Sequence, residues 1–472
     1  MKRYVIAALV SLALIPLTLL AWGFGLPSQY GESFLGELRE KYALLCQPSE
    51  KPRLILLGGS AVTFGVDGTL LEELLPQYEV VNFGMYAALG TRPMLDLSRE
   101  QLRPGDLVLL MPEQQAQSLS GYLGTEALWQ AADGAFELLS CARWEDLGAM
   151  IGQFPCFAAS KAAYFVQDGP QLPEVYRKAS FDETGNLRTG LCEANTMPGG
   201  VDPTMPISFE PDLLSEEFCT LVNEYTRQAE LAGATVWYHF PPMNQAAVEP
   251  GSDPDAFCDR LRETLDCELA GSPHTSMMEA GWFYDTNFHL NEKGRQVFTC
   301  LLARDIKAML GDSSPTPEAA VEMPAMEQPQ SVQGDNRDAD CFVYEQVSDG
   351  WQITGLSESA GERKQLILPA SWQGQPVTGL SADALNGAQA LKTLVIQQNI
   401  TSLPDGAFAG CPALETVVLL QTDPAALLVG QNLLAGSSCT IAVPSESYDR
   451  YCLSYSWSPY ADRLTRWEDS PL

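Results

Sequence analysis

Apolar positions fall along this chain in two kinds of run. The short ones are RLILLG (53–58), which is continuous, YEVVNFG (78–84), DLVLLMP (106–112) and ATVWYHFPP (234–242). They predict strands of a parallel sheet, with RLILLG buried on both faces. Between them, residues 68–78, 91–102, 213–233, 255–271 and 290–310 repeat their apolar positions at helical spacing. That alternation predicts an α/β body over 28–310, with helices covering a parallel sheet and function at the carboxyl ends of its strands. Residues 117–200 follow neither period and are rich in aromatics, Gly and Pro, so they read as an insertion over that edge.

The N-terminus has a third pattern. Residues 4–26 carry no charge, and at ~1.5 Å per residue such a run spans a hydrocarbon core of ~30 Å. Lys2 and Arg3 hold its start in the cytoplasm. The expectation is a single-pass anchor over 1–27 in the cell membrane, with the body outside. The alternative is a secreted protein freed by signal cleavage, although AWGFGLPSQY offers no small-x-small exit.

The period stops again at 311–340, where Pro, Glu, Gln and Asp dominate, as in a disordered acidic linker. Beyond it, over 341–472, VTGLSADALNGAQALKTLVI (377–396) aligns without gaps on ITSLPDGAFAGCPALETVVL (400–419), an offset of 23 residues. A period in the low twenties with one short strand per unit is the mark of a leucine-rich solenoid. The units ALNGAQAL and AFAGCPAL resemble the BspA-type leucine-rich repeat of bacterial surface proteins. That resemblance implies a protein or glycan ligand, with a spacer or stabilising cap as the other reading.

Composition narrows the function. The net charge is −32, from 60 acidic against 28 basic residues, and such a surface repels phosphate backbones, which argues against nucleic acid. The 12 cysteines show no C-x-x-C pair or Cys/His cluster, so no metal or cofactor is expected. Disulfides are open to an exported chain, but several cysteines occupy apolar-patterned positions and read as buried thiols. The three histidines are His239, inside an apolar strand, His274 and His289.

The first strand runs into GGSAVTFG. A phosphate loop would need a lysine there, and a dinucleotide fingerprint a third glycine in register and an acidic residue where Asn82 stands. Both fail, as does the G-x-S-x-G elbow. What remains is Ser60 at a helix start, as a nucleophile beside backbone N–H groups or as a simple N-cap. FYDTNFHLN (283–291) supplies a base and an orienting carboxylate, His289 and Asp285.

Together GGSAVTFG, NFG and D-x-x-x-H-L-N resemble the SGNH/GDSL hydrolase superfamily over roughly 50–310. The resemblance implies a flavodoxin-like sheet, a catalytic triad of Ser60, Asp285 and His289, and an oxyanion hole from the N–H groups of Ser60 and Gly84. Two departures stand out. The third strand ends in PEQQ, without the family's Asn, so Gln114 offers an amide N–H in its place, whereas Glu113 would repel an oxyanion unless protonated. The Asp-to-His spacing is also one residue longer than usual. Asn244 and Glu113 lie where substrate would bind. Membrane-anchored members, the teichoic acid D-alanyl-transfer and polysaccharide O-acetylation proteins, resemble the chain best. They imply an esterase or O-acyltransferase acting on a cell-envelope polysaccharide or teichoic acid. The rival expectation is a non-catalytic adhesion protein with a degenerate hydrolase body.

Overall fold

The computed structural model describes residues 2–167, 169–170, 175–197, 200–202, 205–324, 335–347, 350–360, 362–430, 432–444, 447–454 and 456–466; the side chains at 2–13, 449, 453 and 458 lie outside these. The chain divides into two compact units, Met1–Glu327 and Gln328–Leu472. Part of the expected linker, 325–334, lies outside the described residues.

The first unit opens with helix α1 (Lys2–Gly25) and α2 (Glu37–Cys46), then β1 (Arg53–Gly58), α3 (Ser60–Gly65), α4 (Gly68–Leu74) and β2 (Glu79–Gly84). It continues with α5 (Thr91–Arg99), β3 (Leu107–Met111), α6 (Thr125–Ala131), α7 (Leu147–Gln167), α8 (Glu216–Leu231) and β4 (Thr235–Tyr238). After β5 (Met243–Asn244) come α9 (Pro254–Thr264), β6 (Glu268–Leu269), α10 (Pro273–Ser276), β7 (Met277–Met278) and α11 (Glu292–Met309). Among the described residues no helix is long and apolar enough to cross a membrane; the first half of the expected anchor falls on residues whose side chains lie outside that set.

Five strands form one parallel sheet in the order β2-β1-β3-β4-β6. Past Arg53, the central strands β1 and β3 carry no polar side chain because both faces are covered. Ile55, Leu57, Val108 and Leu110 face one core, while Leu54, Leu56, Leu107 and Leu109 face the other. At the amino edge the buried pair Arg53–Asp106 (2.5 Å) ties β1 to the start of β3, and Arg53 also donates to Leu45 O and Gln101 O.

The segment 117–200 is not uniformly irregular, as its composition suggested. It contains α6 and the 21-residue α7, which packs Trp129 against Phe157 (5.5 Å between ring centres). Elsewhere the expected helices are shorter: 68–78 ends at Leu74, before Pro76, and 255–271 stops at Thr264, so that 268–269 can join the sheet.

The second unit contains β8 (Phe342–Val347), β9 (Gly350–Leu356), β10 (Gln365–Ile367), β11 (Ser371–Trp372), β12 (Gln375–Leu380), β13 (Thr393–Ile396) and β14 (Ser402–Leu403). It closes with β15 (Thr416–Leu419), β16 (Leu428–Val429), β17 (Thr440–Val443), α12 (Tyr448–Leu453) and β18 (Leu464–Arg466). Two largely parallel sheets result, β10-β13-β15-β17-β18 and β16-β14-β12-β9-β8. Thr393 pairs with Thr416 and Thr416 with Thr440, so equivalent positions of successive repeats stack. Leu394, Val417 and Ile441 share a core beneath them.

Candidate active site

The glycine pair at the end of β1 is set by lack of space. A Cβ on Gly58 would lie 2.3 Å from Met111 O, and one on Gly59 would lie 2.6 Å from Glu113 Oε1. The strand ends of β1 and β3 therefore approach closely, and Ser60 starts α3 directly above that contact.

His289 reaches the same point from the other end of the unit. Its loop is closed by a bridge between Phe283 and Leu290, and Thr286 Oγ1 accepts the N–H of both Phe288 and His289. Asn291 caps α11 by accepting from Gly294 N, while its amide donates to Gly281 O and Phe283 O. The H-L-N sequence thus folds the loop and starts the helix in one motif.

His289 Nε2 lies 2.8 Å from Ser60 Oγ, and Nδ1 lies 2.8 Å from Asp285 Oδ1. The imidazole stacks on Phe64 with ring centres 4.0 Å apart and planes 7° from parallel. Tyr176 donates to Asp285 Oδ2 at 2.5 Å, and its oxygen stands 3.2 Å from His289 Nδ1. Burial works against ionising Asp285, but hydrogen bonds with His289 and Tyr176 outweigh it and hold the carboxyl below its ordinary range. Burial, and then Asp285, push the Tyr176 phenol up, so it stays protonated and can only donate to the carboxylate. With Asp285 ionised, Nδ1 carries the ring proton and Nε2 is free to accept from Ser60. Such a set can make a serine hydroxyl nucleophilic.

The chain matches no protein-family model and no curated protein at a significant level. The site must speak for itself.

The remaining sequence-derived residues fall in different settings. Glu113 is buried; its Oε1 accepts the N–H of Ala61 (2.8 Å) and lies 3.1 Å from Ser60 Oγ, and the Ser60 backbone also hydrogen-bonds to it. Burial raises its pKa; the bonds from Ala61 and Ser60 and the nearby His289 oppose this without cancelling it. Gln114 is buried beside it, and neither Nε2 nor Oε1 has a partner among the described residues. The Gly84 N–H donates to Asn82 Oδ1 (3.2 Å), which the buried Lys41 Nζ also approaches (3.4 Å). Asn244 is buried, donates to Gly200 O and Asn287 Oδ1, and accepts from Ala246 N. Its polar atoms are engaged in holding two loops together.

His239 is a core residue whose Nδ1 sits 2.7 Å from Phe240 O. His274 is exposed and lies 3.0 Å from Asp255. All twelve cysteines are free thiols. Sequence reasoning missed Tyr176 and Phe64. Phe64 belongs to GGSAVTFG, one helical turn after Ser60, where its ring backs the His289 imidazole. Tyr176 gave no signal, being 109 residues from Asp285.

Proposed function

We propose that the first unit is a serine esterase or O-acyltransferase of the SGNH type, held at the cell membrane by α1 and acting on an acyl ester of a cell-envelope polysaccharide or teichoic acid. The observation that carries the reading is the unbroken series Ser60–His289–Asp285, with both links at 2.8 Å. The parallel order β2-β1-β3-β4-β6 supports a flavodoxin-like body, with Ser60 at the carboxyl end of β1.

In this reading Ser60 Oγ attacks the ester carbonyl carbon while its proton passes to His289 Nε2. The proton then goes to the leaving alkoxide, and the C–O bond of the ester breaks. Water, or a sugar hydroxyl in transfer, gives up a proton to the same nitrogen as it attacks the acyl-serine; the Ser60 Oγ–acyl bond then breaks and His289 returns the proton to Oγ. Asp285 and Tyr176 fix the tautomer and stabilise the imidazolium. The carboxyl oxygen of Glu113 occupies the point on which the N–H groups at 60 and 61 converge, which is where a carbonyl oxygen would develop charge. As a neutral acid Glu113 can turn and donate there; as a carboxylate it blocks the place. Gln114 brings a further amide N–H.

A fluorophosphonate probe on the full chain tests the reading. Covalent labelling that disappears in Ser60→Ala supports it, and no labelling between pH 4 and 9 rejects it. The second reading, a non-catalytic body, is favoured by the Glu113 carboxyl in the hole. It predicts no labelling even in Glu113→Gln. The stacked threonines at 393, 416 and 440 support a leucine-rich repeat in the second unit, as a binding module for a glycan or protein.

A further inference from the structure

Helix α7 has a solvent-facing side without charge. Every exposed residue in it, including Leu147, Ile151, Cys156, Phe165 and Val166, is uncharged, and its one ionic group, Lys161, points inward and is buried. Ile151 is 70% and Val166 83% exposed, and Trp144, just before the helix, is 90% exposed. On a chain of net charge −32, a surface stripe of this length free of acidic residues needs a cause.

The stripe is fixed to α1. A Cβ on Gly23 would fall 2.5 Å from the Phe154 ring, and Phe24 stacks on Phe154 with centres 5.1 Å apart. Lys161 Nζ donates to Gly23 O (2.9 Å) and pairs with Asp133 at 2.6 Å. Asp133 in turn accepts from the backbone of Gln29 (2.7 Å) and Tyr30 (3.1 Å), immediately past the helix. The end of α1 is thus tied to α7 through Lys161, which its buried pair with Asp133 holds in place. The described part of α1 likewise exposes Leu14, Ile15, Leu17 and Leu20, so both of these packed helices present apolar side chains outward.

We propose that the outward side of α7 lies in the headgroup layer of the bilayer that α1 enters, with zwitterionic or neutral lipid as its partner. The inference rests on the membrane-anchor reading of α1. Amphipathic interfacial helices usually add basic residues for anionic lipid; α7 exposes none, and the acidic body disfavours an anionic surface. Contact through apolar side chains alone fits uncharged headgroups.

Two exposed cysteines allow a direct test: Cys156 on this stripe and Cys46 at the end of α2. The full chain, as Cys46→Ser or as Cys156→Ser, is labelled with an environment-sensitive thiol fluorophore and reconstituted in phosphatidylcholine vesicles. Flotation reports whether α1 holds the chain to the membrane. Nitroxide-bearing lipid is expected to quench the Cys156 dye several-fold more than the Cys46 dye, and Ile151→Glu with Val166→Glu should remove the difference. A chain that floats but shows equal quenching at both sites overturns the α7 proposal alone. A chain that fails to float overturns the anchor as well. Dye-to-dye depolarisation at Cys156 that persists on lipid dilution would mean a second copy covers the stripe, and also overturns it.

Discussion

Glu113 sets a carboxyl oxygen 3.1 Å from Ser60 Oγ, in the same pocket where His289 Nε2 approaches that hydroxyl to 2.8 Å. Ser60 has one proton and two acceptors for it. Ionised, Glu113 competes with the base and repels a developing oxyanion; protonated, it does neither. Since burial raises its pKa, activity should fall on the alkaline side as Glu113 loses its proton. In Glu113→Gln the alkaline limb should move or vanish, with a gain of about tenfold or more on that side, equal to ~1.4 kcal/mol of barrier. An alkaline limb left in place by the substitution would remove Glu113 from the chemistry.

Stability should respond to the same group. A carboxyl whose pKa is raised by folding favours the folded state below its unfolded pKa, and that contribution is lost as pH climbs through the folded value. The melting temperature of Glu113→Gln relative to the parent should therefore rise steadily from pH 4 upward. A difference independent of pH would show that Glu113 is not penalised by burial.

Asp285 runs the other way. Its depressed pKa gives stability that is present above the ordinary carboxyl range and lost as pH falls through the folded value. Asp285→Asn should leave the fold intact at neutral pH while lowering turnover by about 10³–10⁴, because the Nδ1 tautomer is no longer fixed. Steady-state rates and circular dichroism on one preparation distinguish this from unfolding.

Tyr176→Phe removes a hydrogen bond to an ionised group, an interaction of about 1.5–3 kcal/mol. Turnover should fall by about ten- to a hundredfold, with the acid limb shifted because Asp285 has lost a donor. A rate change without any shift in the pH profile would reduce Tyr176 to a packing residue.

Away from the site, Lys41 and Glu37 share one face of α2 and are both buried. Burial pushes the Glu37 carboxyl up and the Lys41 ammonium down, and each group's charge opposes the shift of the other. Lys41 also donates to Asn82 O (3.0 Å) at the end of β2. Lys41→Met should cost about 3–5 kcal/mol by stranding Glu37, and Glu37→Gln added to it should recover most of that. Denaturant melts of the four proteins complete the cycle.

Strands β1 and β3 were legible because burial on both faces writes a nearly unbroken apolar run, and β2 and β4 because shorter apolar stretches recur between helical ones. Ser60, Asp285 and His289 were legible because histidine is scarce and the serine and histidine motifs each sit at an element boundary. Helix α7 was not. Periodicity reveals a helix through the contrast between its two sides, and α7 has apolar or small residues on both, interrupted by Gly148, Gly152 and Pro155. Tyr176 was hidden for a different reason, since its partner is brought near only by the fold. Glu113 looked like a substrate contact at the sheet edge; in the structure the tight approach of β1 to β3 turns it inward onto the serine.

The segment that brings Tyr176 to Asp285 is itself held by residues just past α1. Lys178 N donates to Glu32 O, and Phe34 packs edge-on against Tyr176 with ring centres 5.5 Å apart. For anyone preparing a soluble form, this sets where the scissors go. A chain trimmed before Ser28 keeps the strap that seats Tyr176, while one trimmed after Gly36 loses it and leaves Asp285 without that donor.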